Sequence, residues 1–170
     1  MGQPADRQIE QRTFVSYIDK SREYYRAQGF EDPYRWAGFD DVPFTLLNKP
    51  IDECRVAVVT TSFPHHHKSS FGAPATDKVV YHRGVDDVPE RMFTDDLAWD
   101  KEATHTNDTE SFLPLRTLAD FVDDGVVGSL NHRFFGVPTE YSKRRSGLDG
   151  DTVAAWCVDD KVDIALLVPL

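Results

Sequence analysis

Apolar and polar positions change their spacing several times along this chain, and each change predicts an element. Phe14, Tyr17, Ile18, Tyr24 and Tyr25 fall near a 3.6-residue stripe, with Arg12, Asp19, Lys20 and Glu23 mostly elsewhere. That spacing predicts one amphipathic helix over residues 5 to 28, stopped by Gly29, its aromatic stripe used for packing. Residues 30 to 50 fit no period and read as an ordered loop rich in aromatics and prolines. Residues 55 to 61 (RVAVVTT) are apolar almost throughout, as suits a strand covered on both faces of a parallel sheet. A second short strand is expected over residues 77 to 82 (DKVVYH).

From Gly84 to Leu113 polar residues dominate without a period, and a loop that long inside a compact domain is usually functional. Pro114 then opens a helix to Val122, with Leu115, Leu118, Ala119 and Val122 on one face and Gly125 beyond its end. Residues 126 to 135 read as a strand or strand-turn, residues 149 to 159 as a helix, and residues 162 to 168 as a last strand. Helices alternating with β-rich runs argue for an α/β fold. The expected form is three-layer with a mostly parallel sheet, flavodoxin-like or Rossmann-like, behind an N-terminal helix. The expected organisation is that helix (residues 1–30) and an α/β body (residues 31–170), together one domain.

Composition narrows the function. The chain has 170 residues and a formal charge of −10, with a pI near 4.9. Its 21 Asp and 8 Glu stand often in pairs, and the lone basic cluster is Lys143-Arg144-Arg145. Such a field repels phosphate backbones, so no nucleic-acid partner is expected. The first twenty residues lack the apolar core of a signal peptide, and no apolar run is long enough for a membrane span. A cytoplasmic protein without a membrane partner is expected. Two cysteines, Cys54 and Cys157, make neither a disulfide framework nor a four-cysteine zinc site. Cys157 reads as a core residue.

Candidate chemistry lies in the histidines. His65, His66 and His67 follow the first strand after Ser62, at the end where open α/β sheets bind ligands. Neighbours on extended chain face opposite ways, so His65 and His67 could share a metal, zinc or iron among those that imidazole suits, or contact substrate, whereas the run also suits a solvated loop. His105, Asp108 and Glu110 sit close together in the long polar loop. They could serve as catalytic acid and base, or His105 as a third ligand, whereas Asn107, Asp108 and Thr109 equally suit a capping and turn network. His82-Arg83 and His132-Arg133 place imidazole beside guanidinium at expected strand ends. They could hold a substrate carboxylate, or be ordinary surface pairs.

Several stretches taken together resemble one family. They include Tyr34-Arg35-Trp36-Ala37, Asp41-Val42-Pro43-Phe44, Lys49-Pro50, residues 55–61, residues 118–129 (LADFVDDGVVGS) and residues 161–169 (KVDIALLVP). Most of residues 20 to 169 is similar to the selenoprotein B subunit family of glycine, sarcosine, betaine and D-proline reductases, especially its shorter homologs. The resemblance implies an α/β subunit of a multi-subunit reductase that cleaves a carbon–nitrogen bond with electrons from thiols. In that family a selenocysteine or cysteine nucleophile directly follows the final strand found here. The chain stops at Leu170, before that position, and neither Cys54 nor Cys157 matches it.

The expected function is therefore a reductase subunit acting on a small amine or amino-acid-like substrate, in a homo- or hetero-oligomer. The alternatives are a metal-dependent hydrolase or oxygenase subunit using the histidines and carboxylates, and a non-catalytic subunit completing a partner's site. The expected pocket gathers Ser62, His65 and His67 with His105, Asp108 and Glu110, joined by His132.

Overall fold

The run at residues 55–61 does become the central strand. The computed structural model describes residues 17–30, 40, 45–64, 79–94, 105–139 and 142–170. β1 (Arg55–Thr60) is buried at every position from Val56 onward. On one side it pairs in parallel with β5 (Ile164–Val168), Val56 opposite Ile164 through Thr60 opposite Val168. On the other side it meets β3 (Ser129–Leu130) and then β4 (Arg133–Gly136), both parallel. β2 (Tyr81–Gly84) lies antiparallel against β4, so the five strands form a mixed sheet. The runs at 55–61 and 162–168 are thus neighbouring parallel strands, and the α/β class is as expected.

Three helices are described: α1 (Tyr17–Ala27), α2 (Leu115–Asp123) and α3 (Lys143–Asp159). The chain divides into one unit up to Thr45 and a second from Leu46 to Leu170, which holds the sheet, α2 and α3. α1 belongs to the first unit, and the expected helical residues 5–16 lie outside the described ones. α1 ends in a Schellman motif: Gly29 has φ of 87°, its N–H donates to Arg26 O and that of Phe30 to Tyr25 O. Packing of the whole aromatic stripe is not observed, since Tyr24 is 60% and Tyr25 45% exposed. Those two rings instead meet edge-on at 5.7 Å, and Tyr25 meets Phe30 at 6.0 Å.

Strand alternation divides the core of the second unit. Val56 and Val58 pack with Leu115 and Leu118 of α2, together with Phe112, Leu113 and Phe134. Ala57 and Val59 pack with Val153 of α3 and with Phe135, flanked by Trp156 and Cys157. Successive residues of one strand face opposite sides of a sheet, which places α2 and α3 on opposite faces.

Several boundaries differ from those read in the sequence, among them the run at 126–135, which becomes the two short strands β3 and β4. β2 starts at Tyr81 and runs to Gly84, two residues beyond the expected 77–82, and residues 77–78 lie outside the described ones. α3 starts at Lys143, where Ser142 Oγ accepts from Arg145 N, and not at Asp149. The polar run Lys143 to Gly147 hides that first turn, because it lies on a solvated flank. β5, expected over 162–168, starts at Ile164 and has Ala165, Leu166 and Leu167 exposed, Leu167 by 72%. Its pairing is with β1 alone among the described residues, so its outer flank lacks the neighbours that cover β1.

Candidate functional site

The start of α2 is built from the residues that the sequence singled out. Pro114 at the N-cap has no side-chain hydrogen bond to offer, and the first turn of a helix has unpaired N–H groups. Glu110 supplies the acceptors from upstream. Its Oε1 accepts from Arg116 N at 3.1 Å, and its Oε2 accepts from Thr117 N and Thr117 Oγ1, each at 3.1 Å. Asp108 holds that carboxylate's own turn, its Oδ1 accepting from Glu110 N at 3.2 Å to cap the 3₁₀ turn Thr109–Ser111. His105 is exposed, and its Nδ1 accepts from Asn107 N at 3.4 Å. Asn107 Oδ1 in turn accepts from Arg91 at 3.4 Å. Of the two readings of this segment, the hydrogen bonds form the capping and turn network. Glu110→Ala should cost about 1 kcal/mol, as loss of a helix cap does, read as a lower urea midpoint at unchanged slope.

Beside this helix start lies a cavity of about 410 Å³. Val85 and Val88 beyond β2, Leu113, Leu115 and Ala119 around α2, and Leu130 of β3 give it aliphatic walls. Thr109, Glu110 and Arg116 supply its polar side. Glu110 alone of the residues expected in a pocket lines it. Arg116 carries no signal in the sequence, where it reads as an ordinary exposed helix residue. Its placement beside Glu110 follows from the carboxylate reaching forward to the Arg116 amide.

Ser62 sits at the carboxyl end of β1 but is wholly buried. Its Oγ lies 3.0 Å from Thr60 Oγ1, and Tyr81 Oη donates to its carbonyl at 2.6 Å. Burial pushes the Tyr81 phenol well above its ordinary pKa. His65 and His67 lie outside the described residues. Among the described residues no three His, Cys, Asp or Glu side chains are grouped so as to hold a metal ion.

Strand alternation separates His82 from Arg83, whereas His132 lies just before β4 and Arg133 opens it. His82 stands opposite Phe135 on the α3 face and meets Trp156 edge-on at 5.1 Å. Arg83 stands opposite Phe134, on the other face, and donates to Asp87 Oδ2 at 2.7 Å. His132 is exposed. Arg133 donates to Asp160 through Nε at 2.7 Å and Nη2 at 3.0 Å, with its guanidinium over Phe135 and Trp156. Both guanidinium groups therefore have carboxylate partners within the chain.

Asp160 is the centre of a network that the sequence did not reveal. Asn131, itself 1% exposed, donates through Nδ2 to Asp160 Oδ2 and to Arg133 O, each at 2.9 Å. Asp160 reads in the sequence as one of many surface acid pairs, and only tertiary pairing distinguishes it. The Arg133 hydrogen bonds, then that of Asn131, hold its carboxyl below the ordinary pKa. Burial acts the other way on Cys157 and raises its thiol, with Asp160 adding to the rise. A raised thiol is a poor nucleophile at neutral pH, which agrees with a packing role.

The sign of the pH effect follows from Asp160. An unfolded Asp titrates near about 3.9, above the depressed folded value, so the unfolded chain takes up more protons as pH falls. The stabilisation is fully present above about pH 4 and is lost as pH falls through the folded value. Asp163, lowered first by Arg55 N and then by Lys49, acts in the same direction. Urea midpoints should hold from pH 7 to 5 and fall between pH 4 and 2. The fall should be smaller in Asp160→Asn, where this linkage is absent.

Fold and site together define an open-sheet α/β protein with an aliphatic cavity beside a carboxylate-capped helix. No protein-family model, curated protein or solved structure matches the chain. No described helix is long and apolar enough to cross a membrane.

Proposed function

We propose that this chain is a subunit of a reductase-like, multi-subunit enzyme acting on a small amine or amino-acid-like substrate. The resemblance of residues 20 to 169 supplies the reaction class. A carbon–nitrogen bond breaks, the nitrogen leaves as an amine, and the carbon gains a hydrogen. A dithiol supplies the two electrons and becomes a disulfide, with a selenocysteine or cysteine as the reacting nucleophile. We infer a three-layer fold of the flavodoxin or Rossmann kind, supported by α2 and α3 lying on opposite faces of the sheet.

The observation that carries the subunit reading is β5. An uncharged strand with Leu166 39% and Leu167 72% exposed is a liability for a chain that works alone, and natural edges are usually blunted by charge or cover.

The test is co-expression with the reading frames that flank its own, purification of the complex, and assay with dithiothreitol. Dithiol-dependent amine release from at least one member of an amine and amino-acid panel that includes glycine, sarcosine, betaine, D-proline and leucine is the expected result. A complex that is inert with dithiol but hydrolyses or oxygenates substrates only with bound zinc or iron would overturn the reading.

A further inference from the structure

We propose that the cavity beside α2 binds the zwitterion of an amino acid with a branched aliphatic side chain. This rests on the amino-acid-like substrate of the reading above and narrows it to one side-chain class. The walls select the body of the ligand. At about 410 Å³ the space falls within the usual range for small-molecule sites, and its aliphatic lining has nothing to gain from glycine.

The polar side selects the ends. Arg116 is exposed, and its guanidinium makes no ion pair within the chain among the described residues. A guanidinium fork takes a carboxylate through two parallel hydrogen bonds. Glu110 receives three donors from the first turn of α2, and a carboxylate offers about four acceptor positions, so one is left for an ammonium.

One negative and one positive group at the rim cancel, and a ligand must answer both. A fatty acid would bring its carboxylate against that of Glu110. An alkylamine would leave Arg116 without a counter-ion. A zwitterion with both groups on one carbon satisfies the two together, and its side chain then turns to Val85, Val88, Leu115 and Ala119.

The experiment is isothermal titration of the whole chain with L-leucine as probe. Comparison ligands are 4-methylpentanoate, which lacks the ammonium, 3-methylbutylamine, which lacks the carboxylate, and glycine, which lacks the side chain. Saturable leucine binding with Kd of about 1 mM or tighter is expected, with each comparison ligand at least about tenfold weaker. Arg116→Gln should weaken leucine at least about tenfold, and Ala119→Leu, which narrows the cavity, should weaken it likewise.

Both substitutions are at exposed positions. Circular dichroism checks their folding, and the ligand series decides the matter alone if either fails. No saturable leucine binding up to about 10 mM, or 4-methylpentanoate binding as tightly as leucine, overturns the proposal. Leucine bound to this cavity without dithiol-dependent amine release by the co-purified complex would remove the reductase reading and keep the site. Amine release without leucine binding would do the reverse.

Discussion

Asp160→Ala lowers the unfolding free energy by about 3–5 kcal/mol, the usual result of breaking a buried ion pair from one side. The Asp160 side chain is 8% exposed and that of Arg133 17%, so little water is available to replace the lost partner. The guanidinium loses both of its carboxylate bonds, and Asn131 loses one of its two acceptors. Asn131 Oδ1 already lacks a hydrogen-bond partner, and losing Asp160 leaves the Nδ2 of the same buried amide with Arg133 O alone. Equilibrium urea unfolding at pH 7 reads the loss directly. A change under about 1 kcal/mol would mean that the pair behaves as a solvated surface bridge. The paired replacement Arg133→Met with Asp160→Leu should recover most of the loss, because neither charge then remains to be desolvated.

Gly136→Ala costs about 3 kcal/mol, at the upper end for an overfilled core. Gly136 stands directly opposite Tyr81 across the β2–β4 ladder. A Cβ there would lie 1.9 Å from Tyr81 Cε1 and 2.2 Å from its Cζ. The ring has no easy retreat: its hydroxyl is tied to Ser62 O, and its sides meet Phe63 at 5.4 Å and Phe134 at 6.2 Å. On a Tyr81→Ala background the same glycine substitution should cost less than about 1 kcal/mol, and the difference measures the coupling. Equal costs on the two backgrounds would place the strain elsewhere.

Much of this fold is legible in the sequence because local signals agree with tertiary ones. The apolar run at 55–61 is buried where it was expected, and the stripe Leu115, Leu118, Ala119, Val122 stands on a helix that Gly125 ends with φ of 72°. The close of α3 is less legible, since Lys161 adopts the same left-handed conformation (φ 57°) without being glycine. β5 misleads for a different reason. Apolar residues alone cannot say whether a strand has neighbours on both sides.

The candidate site is legible in part. The segment from His105 to Glu110 is correctly marked as special, yet composition cannot distinguish a carboxylate aimed at a substrate from one aimed at a helix start. Hydrogen bonding decides for the helix start at Glu110. Arg133 and Asp160 are 27 residues apart in sequence, and no local rule joins them.

The break between β3 and β4 has one further consequence. Arg55 aligns with Ser129, whereas Val59 aligns with Phe135, so Asn131 and His132 add two residues relative to β1. Two is an even number, and the side-chain parity of the strand survives the insertion. Leu130 and Phe134 therefore join the α2-side core, while Phe135 joins the other. Deleting either residue alone would turn β4 over and exchange Phe134 with Phe135 between the two cores. Deleting both would keep every side chain on its own face. Length variation at this point of the chain is constrained to steps of two.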